Sequence, residues 1–231
     1  MEDKKAAIRQ EVWRRLASSP GVIPPFPGQG RAAERLRALP EYKEATTIMV
    51  PPDKAQQQVR VNALMDGKRL IAASPGLRQG FFLLSRNFLR PKDWARACRS
   101  SGLSRFGRPL PLEELGRVDL MATGAVAVGL NGGRVGKGSG YFDLEYMILR
   151  ELGAVKESTP VVALVDDLQV FDEVPMEDKD VAVDVIITPT RTIRIRERPR
   201  RPEGIPWDRL PERVIRRVKP LWQLFRKGSH L

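Results

Sequence analysis

The chain has 231 residues and a formal net charge of +12, so we expect one or two domains with a sizeable buried core. Its single cysteine, Cys98, excludes an intramolecular disulfide and a cysteine metal cluster, and the cytoplasm is the expected compartment. The only histidine, His230, is one residue from the C-terminus, so we expect any chemistry to proceed without a histidine base.

The N-terminal segment predicts an amphipathic helix over residues 3–18. Lys5 and Arg9 lie four residues apart, so they share one face of this helix. That face is either a solvated basic surface or part of a binding site. The segment lacks the apolar stretch of a signal peptide, and no apolar run approaches the ~20 residues of a membrane span.

Helical and apolar segments then follow one another along the chain. The predicted helices cover residues 31–39, 56–65, 93–98 and 141–150, and the predicted strands 46–50, 69–73, 81–84, 118–122, 125–130, 161–165 and 185–187. Apolar strands without alternation indicate a mostly parallel sheet that is covered on both faces. Ligands collect at one edge of such sheets, so the loop after residue 130, the turn after Val50 and the segment before Val185 should meet.

The stretch 131–143 carries the strongest functional signal. It holds five glycines within nine residues, together with the cations Arg134 and Lys137. A strand, a glycine-rich basic loop and a helix are a common way for α/β proteins to hold phosphate on free N–H groups. The spacing fits neither a Walker A loop nor a dinucleotide-binding fingerprint. A mobile surface loop with ordinary charges is the alternative.

The last 41 residues differ in charge from the rest. Residues 191–231 hold 13 Lys/Arg against 4 Asp/Glu, whereas residues 1–190 are nearly balanced. We therefore predict an α/β domain over 1–190 and a basic C-terminal extension over 191–231. Apolar residues recur at helical spacing in this extension, with Pro211 able to start a helix and Pro220 expected to break it. The extension either docks on the domain or binds RNA or another polyanion.

Three segments carry a resemblance to a known family. Gly136-Lys-Gly-Ser-Gly-Tyr-Phe-Asp143 is similar to the Gly-Arg/Lys-Gly-x-Gly-Tyr-Tyr-Asp signature of 5-formyltetrahydrofolate cyclo-ligases, also called methenyltetrahydrofolate synthetases. Lys5-Ala-Ala-Ile-Arg9 resembles their N-terminal Lys-x-x-Leu-Arg motif. Residues 175–188 resemble their Pro-x-Glu-x-His-Asp motif and the strand after it. The likeness covers about residues 4–190.

The resemblance implies a fold and a reaction. The fold would be a three-layer α/β/α arrangement with a mostly parallel sheet, as in the NagB/RpiA/CoA-transferase fold. ATP, with Mg²⁺, would phosphorylate the formyl oxygen of 5-formyltetrahydrofolate. Ring closure would then expel phosphate and give 5,10-methenyltetrahydrofolate and ADP. Such phosphoryl transfer needs positioning and charge neutralisation rather than a strong base, so a chain without a catalytic histidine can perform it.

The resemblance also implies site residues, position by position. Lys137 and Tyr141 would be catalytic, Gln58 and Tyr141 would contact the reduced folate, and Asp143 and Asp180 would bind Mg²⁺. The ATP-binding set would be Lys5, Arg9, Arg134, Gly136, Lys137, Gly138, Ser139, Gly140, Tyr141 and Phe142. Mg²⁺ takes one or two carboxylates while phosphate oxygens and water complete its shell, which suits two aspartates.

Three positions depart from the family pattern. Lys179 stands where the family has His, Leu144 where Arg is common, and Gln58 where a folate-contacting Glu is expected. The Gln58 amide keeps its hydrogen-bonding capacity but loses the charge. Residues 53–68 resemble a divergent synthetase-domain-containing branch. Two alternatives therefore stay open: a non-catalytic nucleotide- or RNA-binding relative, and an ATP-dependent ligase with a different small substrate.

Overall fold

The structure, a computed structural model, describes residues 1–228. Its α-helices are α1 (Glu2–Arg15), α2 (Gln29–Ala38), α3 (Pro40–Glu44), α4 (Gln57–Met65), α5 (Trp94–Ala97), α6 (Leu103–Phe106), α7 (Tyr141–Glu151), α8 (Glu212–Arg217) and α9 (Lys219–Lys227). Its strands are β1 (Thr47–Met49), β2 (Arg69–Ala73), β3 (Phe81–Leu84), β4 (Arg108–Leu110), β5 (Leu120–Thr123), β6 (Ala127–Gly129), β7 (Arg134–Val135), β8 (Val161–Leu164), β9 (Val170–Phe171), β10 (Val185–Ile187) and β11 (Thr192–Arg194). No helix in this range is long and apolar enough to cross a membrane.

Most of the strands form one sheet. Within residues 1–228 its order is β11-β10-β8-β5-β1-β2-β3-β4. The five strands from β10 to β2 pair in parallel, and the strands at both edges pair antiparallel. The predicted mostly parallel sheet is therefore confirmed.

Both faces of this sheet are covered. Ile48 packs in a core with α1, α2 and α4, whereas its neighbour Met49 packs in a second core with α7, α8 and α9. Successive strand residues point to opposite faces, so each strand contributes side chains to both cores. The arrangement is the predicted three-layer α/β/α fold.

The glycine-rich stretch starts differently from the prediction. Residues 127–129 are a strand, but it belongs to a separate sheet in the order β7-β6-β9. The chain turns back at Asn131, whose Oδ1 accepts a hydrogen bond from the Gly133 amide at 3.0 Å. Arg134 then pairs antiparallel with Val128. The first half of the stretch is thus a hairpin, and only the part after residue 135 is a loop.

Other differences concern the limits of elements. The first helix ends at Arg15 rather than residue 18, and the helix predicted over 93–98 is limited to four residues. The edge strands β4 and β11 are not among the predicted strands. Each has only three residues, which is too short for a hydrophobic period to show.

The basic extension packs on the rest of the fold. Strand β11 adds to the sheet, and Ile215, Val218 and Leu221 are at most 5% exposed in the second core. Helix α8 follows Pro211, and Pro220 lies in the first turn of α9, as the proline positions predicted. Docking of the apolar side is therefore what the structure shows. His230 lies outside the described residues.

A fully buried arginine fixes the turn that follows β1. The Arg60 guanidinium donates to the carbonyls of Pro51, Pro52 and Asp53, and also to that of Cys98 at 2.9 Å. Burial lowers the pKa of Arg60 to about 10, so it remains charged at neutral pH. The turn that carries Asp53 is consequently held by hydrogen bonds to one side chain.

We expect Arg60→Met to lower the free energy of unfolding by roughly 3 kcal/mol, because several buried carbonyls lose their donor. Arg14→Met is the matched control: Arg14 lies on the surface and pairs with Glu11, so its loss should change stability little. Urea unfolding followed by circular dichroism measures both variants. Equal effects of the two substitutions would contradict the role assigned to Arg60.

Candidate functional site

Most of the predicted site residues line one cavity of about 1180 Å³. Helix α1, the glycine-rich loop, α7 and the segment before β10 contribute to its walls. The predicted residues that line it are Lys5, Arg9, Arg134, Gly136, Gly138, Ser139, Gly140, Asp143 and Asp180. The three segments that were predicted to meet are the loop after residue 130, the turn after Val50 and the segment before Val185. Hydrogen bonds from Lys137 to Asp53 and from Val181 to Asp143 confirm that they do.

Helix α1 joins two walls of the cavity. The buried Lys5 ammonium donates a short hydrogen bond to Asp180 and a second one to Glu177 at 3.1 Å. Burial acts to lower the pKa of Lys5, but the hydrogen bond and charge of Asp180 outweigh it and raise the pKa. One turn further along, Arg9 Nε donates to the Gly136 carbonyl at 2.7 Å. The shared face predicted for Lys5 and Arg9 is thus buried in the site.

A second buried ion pair lies beside the first. Arg134 is 5% exposed, and its Nη2 donates to Asp143 Oδ1 at 2.6 Å. The same carboxylate oxygen accepts the Val181 amide at 3.0 Å. The Arg134 guanidinium also lies 4.6 Å from the centre of the Phe142 ring. Phe142 itself is buried and supports Arg134 rather than lining the cavity.

The loop ends at the N-terminus of α7. Gly138 and Gly140 have φ values of +105° and +64°, which residues with a β-carbon rarely adopt. Gly140 is the N-cap of α7. The first amides of a helix have no partner within it and carry partial positive charge. The end of the loop therefore offers a site for an anion between Arg9 and the start of α7.

The two predicted metal ligands border the same cavity. Asp143 Oδ2 and Asp180 Oδ1 accept no hydrogen bond from residues 1–228, so each carboxylate keeps one oxygen for a ligand. Two such oxygens suit Mg²⁺ when phosphate and water supply the rest of its shell. A cluster of three or more acidic, histidine or cysteine side chains is absent from the part of the chain that is described.

Three predicted residues lie elsewhere. Lys137 Nζ donates to Asp53 Oδ1 at 2.7 Å, outside the cavity lining. Gln58 is exposed on α4, where its amide donates to Asn62 at 2.8 Å, and it lines none of the cavities described here. Tyr141 does not line this cavity but a second one. The structure thus does not bring Gln58 and Tyr141 together.

Tyr141 borders a second cavity of about 530 Å³. Ser74 and Gly76, which follow β2, contribute to this cavity, and so does Arg217 from α8. A β-carbon at Gly76 would lie 3.2 Å from the Tyr141 hydroxyl, so the glycine permits this close approach. Gly140 and Tyr141 are adjacent in sequence and border different cavities. Helix α7 therefore begins between two possible ligand sites.

Sequence reasoning missed a buried acid on α7. Glu145 is 4% exposed, and its Oε2 has no hydrogen-bond partner among the described residues. Burial raises the pKa of Glu145 to about 8, and the charge of Asp53 adds to this rise while Lys137 opposes it. With this pKa, Glu145 is largely protonated at neutral pH. The sequence signal that could have identified it is a glutamate between apolar residues of a predicted helix.

These features define a class of protein: an α/β fold with an anion-binding glycine-rich turn and two carboxylates in one cavity. Residues 1–189 match the model of the 5-formyltetrahydrofolate cyclo-ligase family, and the chain belongs to that family. The structure of a 5,10-methenyltetrahydrofolate synthetase from Aquifex aeolicus has a TM-score of 0.55 at 22% identity. That match covers 84% of this chain and 93% of the other, and it supports the same fold.

Curated relatives place the chain near one branch of the family. A methenyltetrahydrofolate synthase domain-containing protein from Bos taurus is 41% identical, over 89% of this chain and 58% of its own length. The protein of the same description from Homo sapiens is 35% identical, over 95% of this chain and 61% of its own length. The chain thus spans less than two thirds of these relatives. A 5-formyltetrahydrofolate cyclo-ligase from Mycolicibacterium smegmatis is 37% identical over 36% of the chain.

Glu145→Gln tests the raised pKa. A carboxyl group whose pKa is higher in the folded state binds more protons there, so it costs stability as pH rises from about 4.5 towards about 8. We expect the variant to match the wild type near pH 4.5 and to be more stable by roughly 1–3 kcal/mol near pH 8. Denaturant unfolding at several pH values measures this difference. A difference that does not change with pH would contradict the assignment.

Proposed function

We propose that the chain is an ATP- and Mg²⁺-dependent enzyme that converts 5-formyltetrahydrofolate to 5,10-methenyltetrahydrofolate. One observation carries the proposal: Lys5, Arg9, Arg134 and the glycine-rich turn border the same cavity as Asp143 and Asp180. Family membership supports a folate-related ligase reaction. The proposal adds the nucleotide, the metal and the individual roles of these residues.

The charges of the site suit a metal-bound nucleotide better than a bare anion. Lys5 is paired with Asp180 and Arg134 with Asp143. A bare triphosphate would be attracted by the two cations, but the negatively charged carboxylates beside them would repel it. A magnesium–nucleotide complex offers charge of both signs, so its phosphates can approach the cations and its metal the carboxylates. When bound, Mg²⁺ would neutralise charge on the phosphate groups that are transferred and released.

The side chains then have separate tasks. Lys5, Arg9 and Arg134 orient the phosphate groups, and the first amides of α7 add donors. Tyr141 borders the second cavity, which we assign to the folate, so the formyl oxygen would meet the terminal phosphate near Gly140 and Tyr141. Lys137 can assist only after its ammonium leaves Asp53. Phosphorylation of the formyl oxygen makes phosphate the leaving group when the ring closes.

A second candidate is an ATP-dependent ligase with another small substrate. The observation that favours it is Gln58, which replaces the expected glutamate and lies outside both cavities. Lys179 lines the main cavity and pairs with Glu177 at 3.4 Å, so it does not reproduce the family's histidine. This enzyme would bind magnesium–ATP but form no methenyl product from 5-formyltetrahydrofolate.

Binding of RNA through residues 191–231 stays a prediction. The ion pairs within the described part of this segment favour it less than they would if its arginines were unpaired. Several arginines of this segment are already paired with acids, among them Arg194 with Glu41 and Arg198 with Glu157. Pairing of this kind lowers the positive charge that is available to a polyanion.

The assay mixes the protein with ATP, Mg²⁺ and 5-formyltetrahydrofolate and follows the product's absorbance. We expect turnover by the wild type and a loss of roughly 100-fold in Asp143→Asn, because the substitution removes a carboxylate that we assign to Mg²⁺ and that also holds Arg134. Asp172→Asn, at an exposed acid outside the cavity, is the control and should leave turnover unchanged. Calorimetry with magnesium–ATP separates the candidates: binding without turnover favours another substrate, and no binding rejects both.

A further inference from the structure

The C-terminal segment builds one wall of the main cavity. The family model ends at residue 189, yet Ile205, Leu210 and Val214 line the cavity together with Leu144 and Met147 of α7. All five side chains are apolar, and those of Leu210 and Val214 are only partly buried. One part of the cavity lining is therefore apolar, and three of these five residues lie beyond the residues that the family model matches, in a segment that also contributes the charged Glu203 and Arg209.

This wall is fixed at both ends. Before it, the buried Arg201 donates to the carbonyls of Ala182 at 2.7 Å and Thr159 at 2.9 Å and pairs with Asp184. After it, helices α8 and α9 bury Val218 and Leu221 in the second core. The wall is thus part of the folded unit.

At the wall itself, the Ile205 amide donates to Glu151 Oε2 at 3.1 Å. This bond ties the segment to the C-terminal end of α7, opposite the helix end that faces the glycine-rich loop. The wall and the loop therefore border the same helix at its two ends.

The cavity follows one face of α7. Asp143, Met147 and Glu151 are four residues apart along the helix, and all three line the cavity. At ~1.5 Å per residue, the lined stretch from Asp143 to Glu151 is about 12 Å long. The cations and the glycine-rich turn lie near the N-terminal end of α7, and the apolar wall lies along the following turns of the helix. A ligand that fills the cavity needs a polyanionic end joined to an apolar group.

We propose that residues 205–214 form the wall that binds the base of a nucleoside triphosphate, whose phosphates lie at the N-terminus of α7. The inference rests on the proposed function and names the part of the chain that recognises the nucleotide. A nucleotide joins a polyanion to a flat, largely apolar base, as the two halves of the cavity require. The folate is assigned to the other cavity, where Tyr141 lies.

Substitution of Leu210 separates base binding from phosphate binding. Leu210→Asn places a polar group in the apolar wall without adding charge. We expect it to weaken magnesium–ATP binding by about 10-fold, because apolar contact with the base is lost. Binding of magnesium–tripolyphosphate, which has no base, should change by less than about 2-fold. Isothermal titration calorimetry measures both ligands.

Two further variants serve as checks. Val214→Asn changes the same wall at an independent position and should reproduce the selective loss. Leu224→Asn is the matched control, since Leu224 is also a partly buried leucine of the C-terminal segment but does not line the cavity. It should leave the affinity for both ligands unchanged. Thermal unfolding of each variant verifies that it is folded at the titration temperature.

The outcomes distinguish the two proposals. If the wild type binds neither ligand, the proposed function fails, and the inference fails with it. If the wild type binds magnesium–ATP and folded Leu210→Asn and Val214→Asn bind it equally well, only the inference is overturned. An equal loss for ATP and tripolyphosphate also overturns it, because the wall would then act on the phosphate end.

Discussion

The buried ion pair between Lys5 and Asp180 is the constraint on which the site depends. It joins the first helix to the segment before β10, which lies 175 residues further along the chain. Because both side chains are buried, removal of Lys5 would leave the charge of Asp180 without its cationic partner in a poorly solvated place. Arg9 extends the connection to the glycine-rich loop through the Gly136 carbonyl. Three distant segments are thereby held in one geometry.

The charged and apolar parts of the proposed site are separate. The cations and carboxylates lie around the N-terminus of α7, where they pair with one another. The apolar wall lines the same cavity as this charged centre, and Tyr141 lines a second cavity. The charged centre is built from residues within the range that the family model matches, whereas residues 205–214 of the wall lie beyond that range.

The sequence predicted the features that depend on local pattern. The spacing of Lys5 and Arg9, the glycines around residue 138 and the apolar strands are local, and they identified the layers and most of the cavity. The features that it could not predict depend on contacts between distant residues. The burial of Glu145 follows from packing of α7. Docking of the C-terminal segment was one of the two predicted alternatives, but the place where it docks follows from the bonds of Arg201 to residues 159–184. Gln58 was assigned by alignment to a motif, and its placement depends on which face of α4 is exposed.

The two short strands at the margins of the large sheet also bear on how the protein behaves in solution. Each offers unpaired backbone groups to which a strand of another molecule could add. Strand β4 carries Arg108 and Pro109, and proline cannot donate a hydrogen bond. Strand β11 ends in the charged Arg194, which is held by Glu41. Charge, proline and short length together discourage edge-to-edge pairing between copies of the chain.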